Sequence, residues 1–412
     1  MTTSWTRALT SSILVSWVVS SLAAAPAFAD DDPVELLQAQ SEIPEESLLD
    51  VGIQLFDPGL PDDEYERYIL EEKGVFADVR KAESRYIPLR LKQTLETSGF
   101  WGAVRLVPSS HVIDLRVAGA IRKSNGKHLE VDIRAVDATG REWLSRRYEA
   151  EANEMAYKGK VTGREPFQDL YNEIANDLTE VGQKRGDEDR LEIRRISQLR
   201  FASYLAPAAF EDYLEVKKDK YEIDRLPSYE DPMMIRLSGI RERDFMFVDT
   251  LNEYYADFGV KMSEPYNSWR SISYDEQNAL DELNKTKNIE RIAGIAAIVG
   301  GVIMNQKGGR MGRGAGQVAI LGGMVAIQDS FQKAQEAEMN REALRELAGS
   351  FDSEVAPILI DVEGEVLRLT GSVETQYTTW RQLLRQIFAA ETGLPLDPNE
   401  APIPASEDVS KN

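Results

Sequence analysis

The sequence predicts an α+β protein. A small mixed or antiparallel sheet with flanking helices, in the order β-α-β-β-β-α, is followed by a helical region with a glycine-rich helical hairpin and a C-terminal β-hairpin plus helix. Three observations predict this. Between Ile113 and Tyr148 apolar and polar residues alternate, as in strands with one buried and one wet face. On both sides, apolar residues recur every three to four positions, the period of amphipathic helices. Further on, Ile292 to Ile327 is rich in Gly and Ala with small residues four apart, a helical spacing.

In chain order, Val51 to Phe56 is a short apolar run ended by Asp57-Pro58-Gly59, a first strand and its turn. Tyr65 to Lys73 has room for a turn or two of helix. Arg80 to Ser98 sets Ala82, Tyr86, Leu89, Leu91 and Leu95 at near-helical spacing, with Gly99 as the stop. Pro88 lies inside this pattern, so a kink or a helix start is expected there. Val104 to Val107 is a strand. Ile113, Leu115 and Val117 alternate with polar residues, Asn125-Gly126 is a hairpin turn, and Leu129, Val131, Ile133 and Ala135 alternate again. Asp137-Ala138-Thr139-Gly140 turns the chain into Trp143 to Tyr148. Pro166 then opens a helix through Val181, with Phe167, Leu170, Ile174, Ala175 and Leu178 on one stripe.

These elements divide the chain into consecutive segments. Residues 1–29 read as a cleavable signal peptide: Arg7 is the only charge, Ile13 to Ala25 is an apolar stretch, and Ala27-Phe28-Ala29 is a small-x-small cleavage site. No cysteine follows it, so lipidation at a cysteine is not expected. Residues 30–49, acidic and carrying Pro33 and Pro44, read as a mostly disordered linker. An α+β envelope recognition domain over 50–182 is followed by a helical, aromatic-rich region over 187–288. There Pro207, Pro227, Pro232 and Pro265 are expected to separate short helices, with one amphipathic helix around Phe247, Leu251, Tyr254, Tyr255 and Phe258. Aromatics at this spacing are expected in a core rather than on a ligand platform. The glycine-zipper hairpin and its following helix occupy 289–349, a β-hairpin–helix unit 355–392, and a proline-rich disordered tail 393–412.

The strand Asp114-Leu115-Arg116-Val117-Ala118-Gly119 resembles the "D-x-x-V-x-G" strand of a bacterial envelope superfamily, and Val131 to Gly140 is similar to its "hydrophobic strand, then D-A-x-T-G" hairpin. That superfamily includes the curli secretion channel lipoprotein, the lipoprotein activators of penicillin-binding proteins and the N-terminal domain of the Tol-system propeller protein. The resemblance covers roughly residues 50–182. It implies a periplasmic assembly or regulatory module and supplies no catalytic residues. The chain departs from the family in lacking the lipidation cysteine. Gly364 to Val373, "G-x-x-x-x-L-T-G-S-V", resembles half of a BON-type envelope domain.

Residues Ile292 to Met304 and Ala315 to Ile327 are uncharged arms around the cationic tip Lys307-Gly308-Gly309-Arg310-Met311-Gly312-Arg313. On helices, Ala293, Ala297 and Gly301 form one stripe and Ala315, Ala319 and Gly323 another, so that two backbones can approach closely. Glycine costs about 1 kcal/mol per helical position relative to alanine, which suggests that close packing matters here. Three readings stay open: membrane entry, packing inside an oligomer, and a buried hairpin within one domain. Each arm has 13 uncharged residues, marginal for a bilayer crossing.

Chemistry is sparse. The chain has 70 acidic and 48 basic residues, two histidines and no cysteine. A net charge of −22 argues against nucleic acid as a partner, and without cysteine no disulfide, thiolate metal site or thiol nucleophile can form. His111 and His128 read as ordinary strand-end residues. No hydrolase or metal motif appears, and the glycine-rich tip lacks the Walker spacing. No catalytic, cofactor or metal residues are expected and no cofactor is assigned. The expected protein is a non-enzymatic, exported periplasmic assembly or regulatory factor. Its expected partners are itself or another envelope protein, with membrane contact through 292–327. Alternatives are a subunit of a secretion or pore complex and a hydrolase built on paired carboxylates.

Overall fold

The computed structural model describes residues 33–72, 74–158, 165–228, 230–285, 335–349, 358–362 and 365–393. Residues 1–32 and 394–412, read from the sequence as mainly signal segment and tail, lie outside them. In chain order the described elements are β1 (Val51–Ile53), α1 (Glu64–Glu72), α2 (Ala77–Ser98), β2 (Val104–Leu106), β3 (Leu115–Ser124), β4 (His128–Asp137), β5 (Glu142–Glu151), α3 (Glu154–Lys158), α4 (Gln168–Gln183), α5 (Asp187–Leu205) and α6 (Pro207–Phe210). They continue with β6 (Leu214–Lys217), β7 (Lys220–Ile223), α7 (Pro232–Lys285), a helix α8 over 335–349, β8 (Ile358–Val362), β9 (Glu365–Leu369) and α9 (Val373–Thr392).

The main sheet has five strands in the order β2-β1-β3-β4-β5. It is mixed: β1 runs parallel to both β2 and β3, and the rest is antiparallel. The order β-α-β-β-β-α counts four strands where five form: Val104–Leu106, read from the sequence as a strand of its own, lies on one side of β1 and Leu115–Ser124 on the other. Val117, Ile121, Val131, Ile133 and Ala135 point to one face and are buried there, as the alternation predicts. Helices α2 and α4 pack on each other and on this sheet. The opposite face is polar, with Arg122 and Arg147 both bonded to Asp132.

Helix α2 continues through Pro88 rather than beginning at it. Proline has no N–H to offer the carbonyl four residues back. That carbonyl, on Ser84, instead accepts the N–H of Phe56 at 2.9 Å, so the break in the helix ladder ties α2 to the segment after β1. Gly99 adopts the left-handed cap conformation at φ 70°, as expected for a helix stop.

Residues 34–49 contain only one short 3₁₀ turn yet are held along the core, unlike the free linker expected. Asn176 accepts the Leu37 N–H and donates to the Glu35 carbonyl, Asn172 donates to the Val34 carbonyl, and Ala39 N–H reaches the Ser98 carbonyl. Side-chain amides of α4 complete the backbone hydrogen bonds of a segment that has no apolar period of its own.

Of the four prolines of the aromatic region, Pro207 and Pro232 each open a helix and Pro227 lies in a connection, as expected, but Pro265 ends none. Pro232 opens α7 at its first turn, with the Asp231 carboxylate accepting the Met233 N–H, and α7 runs for 54 residues in all, passing through Pro265. An interior proline costs about 3 kcal/mol. The continuous stripe Leu237, Ile240, Val248, Leu251, Tyr255, Phe258, Met262, Tyr266 and Trp269 is buried along the helix and offsets it. The aromatics are core, as predicted. The β6–β7 hairpin lay within a region expected to be helical.

Helix α7 also closes one sheet edge. The Asn252 side chain accepts the Leu106 N–H at 2.8 Å and donates to the Leu106 carbonyl at 2.9 Å, as a neighbouring strand would. From the C-terminal unit, β8 and β9 pair as the predicted hairpin. Ile358, Leu369, Tyr377, Trp380, Leu384 and Phe388 join the same apolar core as the sheet, α5 and α7.

Candidate functional site

The residues singled out for self-association or membrane contact, Ala293, Ala297, Gly301, Ala315, Ala319 and Gly323, lie outside the described residues, as does the whole 292–327 segment. The structure does describe its two roots, α7 and α8. Ser268 on α7 accepts from the Asn340 side chain at 2.9 Å and donates to Glu336 at 3.3 Å on α8. Leu344 and Ala348, later on α8, share a buried cluster with Phe258 and Met262, earlier on α7. The two helices therefore run antiparallel. Val79, Ala82 and Tyr86 of α2 complete that cluster, and Arg345 pairs with Asp78 at 2.7 Å. Beyond the contact with α8, α7 is held by Lys127 on Asp281 at 2.6 Å and by Asn125 on Gln277 at 3.0 Å.

A buried ionic network fixes this root. Arg270 of α7 is fully buried and pairs with Glu165, which also accepts from the Tyr86 hydroxyl at 2.9 Å. Burial alone would raise the Glu165 carboxyl. The Arg270 guanidinium outweighs it and holds the group below the usual glutamate range. Glu83 of α2, also fully buried, accepts from Ser124 at 2.5 Å and from Tyr266 at 2.8 Å. Burial dominates here, over the opposing pull of Arg80, and pushes the Glu83 carboxyl upward. Thus two carboxyls in one core are driven in opposite directions. This is the acid–base contrast that catalysis uses, but both face protein groups rather than a cleft.

A second cluster joins the C-terminal unit to the domain. His111 is not a strand-end residue; it is buried in the β2–β3 connection, its Nδ1 2.6 Å from the Tyr377 hydroxyl and 3.3 Å from Asp244. The Tyr377 hydroxyl donates to Asp244 at 3.2 Å and accepts from Arg381 at 3.3 Å. Burial, and then the Asp244 carboxylate, push that hydroxyl well above its usual range, so it keeps its single proton. Phe247 stacks on Trp380 beside the cluster, with ring centroids 5.1 Å apart. The arrangement clamps α9 to α7. His128 does start β4, as expected.

The residues that carry the superfamily resemblance have identifiable structural tasks. Asp114 accepts the Asp50 N–H at 3.1 Å and lies 3.9 Å from Arg241 of α7. Gly119 leaves space for the Phe56 ring, which would stand 2.7 Å from a Cβ. Asp137 accepts from the Thr139 N–H and hydroxyl, the Arg141 N–H and the Trp143 indole. Gly140, at φ +83°, admits the β6–β7 hairpin, whose Asp219 carbonyl would lie 2.1 Å from a Cβ.

Sequence reading missed both buried clusters. Their members are ordinary charged and aromatic residues, and the pairs that meet are separated by 105 positions (Glu165 and Arg270) or 133 positions (Asp244 and Tyr377). Among the described residues no group of three or more His, Cys, Asp or Glu is arranged to hold a metal ion, and no helix is long and apolar enough to cross a membrane. Comparison with family models, with curated proteins and with solved structures finds no match to this chain.

Proposed function

We propose that this chain is a non-enzymatic assembly or regulatory factor of the bacterial periplasm, exported by its N-terminal segment. In this reading the α+β body serves recognition, and the glycine-rich 292–327 segment mediates self-association or docking on a membrane. One observation supports the reading above others: the antiparallel pairing of α7 with α8 through Ser268, Glu336 and Asn340. Chain continuity makes the two arms follow α7 and precede α8, so both connect to one anchored helix pair. An isolated helical hairpin of Gly and Ala would lack such an anchor, because short helices are marginal in water.

Substituting Gly301→Leu and Gly323→Leu puts bulk into each small-residue stripe. Both variants are expected to lose association in sedimentation and to leave the membrane fraction in carbonate extraction, with an unchanged melting temperature. A wild-type protein that is wholly monomeric without detergent, or variants that associate as before, would overturn the reading.

A further inference from the structure

The five-stranded sheet has two edges, and only one is covered. Asn252 closes the β2 edge, whereas β5 ends the sheet with ten residues and no described backbone partner on its outer side. The hydrogen-bond phase shows which groups stand open. Ala152 N–H donates to the Lys127 carbonyl, and the β4–β5 register continues this pairing to Leu129–Ala150, Val131–Tyr148 and Ile133–Arg146. Even-numbered residues of β5 therefore face β4. The N–H and C=O groups of Ser145, Arg147, Glu149 and Glu151 point away from the sheet.

This open edge is polar in sequence and divided in charge. Arg146 and Arg147 precede Tyr148, and Glu149 and Glu151 follow it. Arg147 is held at the edge by Asp132, which accepts its Nε at 2.7 Å; that bond first, with help from Arg122, pulls the Asp132 carboxyl down to about 2. Glu149 is exposed and acts electrostatically on Arg147 two residues before it. Around Tyr148 the strand is positive on one side and negative on the other, and such a segment is complementary to itself when turned antiparallel; Glu142, at the start of the strand, is already paired with Arg134. Like charges placed directly opposite each other are destabilising, and opposite charges stabilise.

We propose that β5 is a self-association edge, at which two copies of this chain pair antiparallel about a twofold axis through Tyr148 and join their sheets. This register sets Arg147 opposite Glu149 of the second copy and Ser145 opposite Glu151, all on groups whose backbone is open, for roughly eight backbone hydrogen bonds. A shift toward Arg147 sets two Arg147 side chains on the axis, and a shift toward Glu149 sets two Glu149 side chains there, so charge selects the register. Arg146, on the inner side, already has its partners in Glu173 and Asp177 of α4, both at 2.6 Å.

The test uses the purified full chain. Arg147→Glu and Glu149→Arg, each alone, put like charges opposite at both ends of the pairing and are expected to weaken dimerisation about ten-fold or more by sedimentation velocity. Mixing the two variants restores complementarity, and a heterodimer is expected to form with wild-type affinity. The chain has no cysteine, so Arg147→Cys mixed with Glu149→Cys should give one disulfide-linked species on oxidation, and neither variant alone should do so as fast. Glu149→Pro removes one outward N–H from an edge strand, where proline is tolerated, and should yield a folded monomer at this contact. Equal association of wild type and both charge variants, or no cross-link in the mixture, would overturn the proposal. So would an edge found occupied by a different extended peptide. If Gly301→Leu and Gly323→Leu abolish association while the mixed cysteines still fail to cross-link, the glycine segment alone joins the copies.

Discussion

Glu165 and Arg270 show how much rests on single residues in this fold. Arg270 is fully buried, so removing its carboxylate leaves a charge with no water to solvate it. Glu165→Gln is therefore expected to cost about 3–5 kcal/mol at neutral pH, measured by denaturant unfolding. The pH dependence has a definite sign. The folded-state Glu165 carboxyl lies below its ordinary value, so its contribution is present above the ordinary glutamate pKa and is lost as pH falls through the lowered one. The gap between wild type and Glu165→Gln should close on acidification below about pH 4.3. A constant gap down to acid unfolding would show that Gln loses packing rather than charge. Glu83 acts with the opposite sign: its raised pKa makes the charged form a burden that acid relieves. Neither role was legible in the sequence, where both glutamates look like the rest of 70 acidic residues.

At the scale of elements, helices meet strands through groups that secondary structure leaves unpaired. Pro88 frees the Ser84 carbonyl for Phe56, and Asn252 supplies both partners that the edge residue Leu106 lacks. Asn252→Leu keeps the helix and removes both bonds. It is expected to destabilise the protein by about 1–3 kcal/mol and to speed hydrogen exchange at the Leu106 amide selectively. An unchanged Leu106 amide would mean that packing of α7, rather than the Asn252 amide, closes this edge. The sheet itself was readable from residues: alternation placed Val117, Val131 and Ile133 inward, and Asn125-Gly126 placed the hairpin between them. The long α7 was not, because proline-based boundaries describe the local cost and omit the buried stripe that outweighs it.

At the scale of the molecule, one core runs through segments that the sequence separates. Leu115 of the sheet, Ile196 of α5, Leu251 of α7 and Phe388 of α9 belong to the same buried cluster. Residues 286–334, between α7 and α8 in the chain, lie outside the described residues. Replacing residues 289–330 by a Gly/Ser linker of about a dozen residues shortens a closed loop, which should stabilise the body by about 1 kcal/mol from chain entropy. The excised protein is expected to keep its thermal transition and to lose any association carried by the glycine stripes, while the β5 edge still cross-links. A collapse of the transition would instead place part of the core in the excised residues.

The sequence alone determined the α+β class, the paired strands between β3 and β5 and the helices flanking them. It also determined the absence of thiol chemistry and a net charge of −22. These follow from periodicity and composition, which act through neighbours along the chain. Only the tertiary structure decided that Val104–Leu106 joins β1 as a fifth strand, that α7 passes through Pro265 unbroken, and which buried charges meet. It also decided that one sheet edge is capped by Asn252 while β5 is left open. Those outcomes depend on contacts between residues far apart in the chain, from 53 positions for Val51 and Val104 to 146 for Leu106 and Asn252, and local spacing carries no record of them.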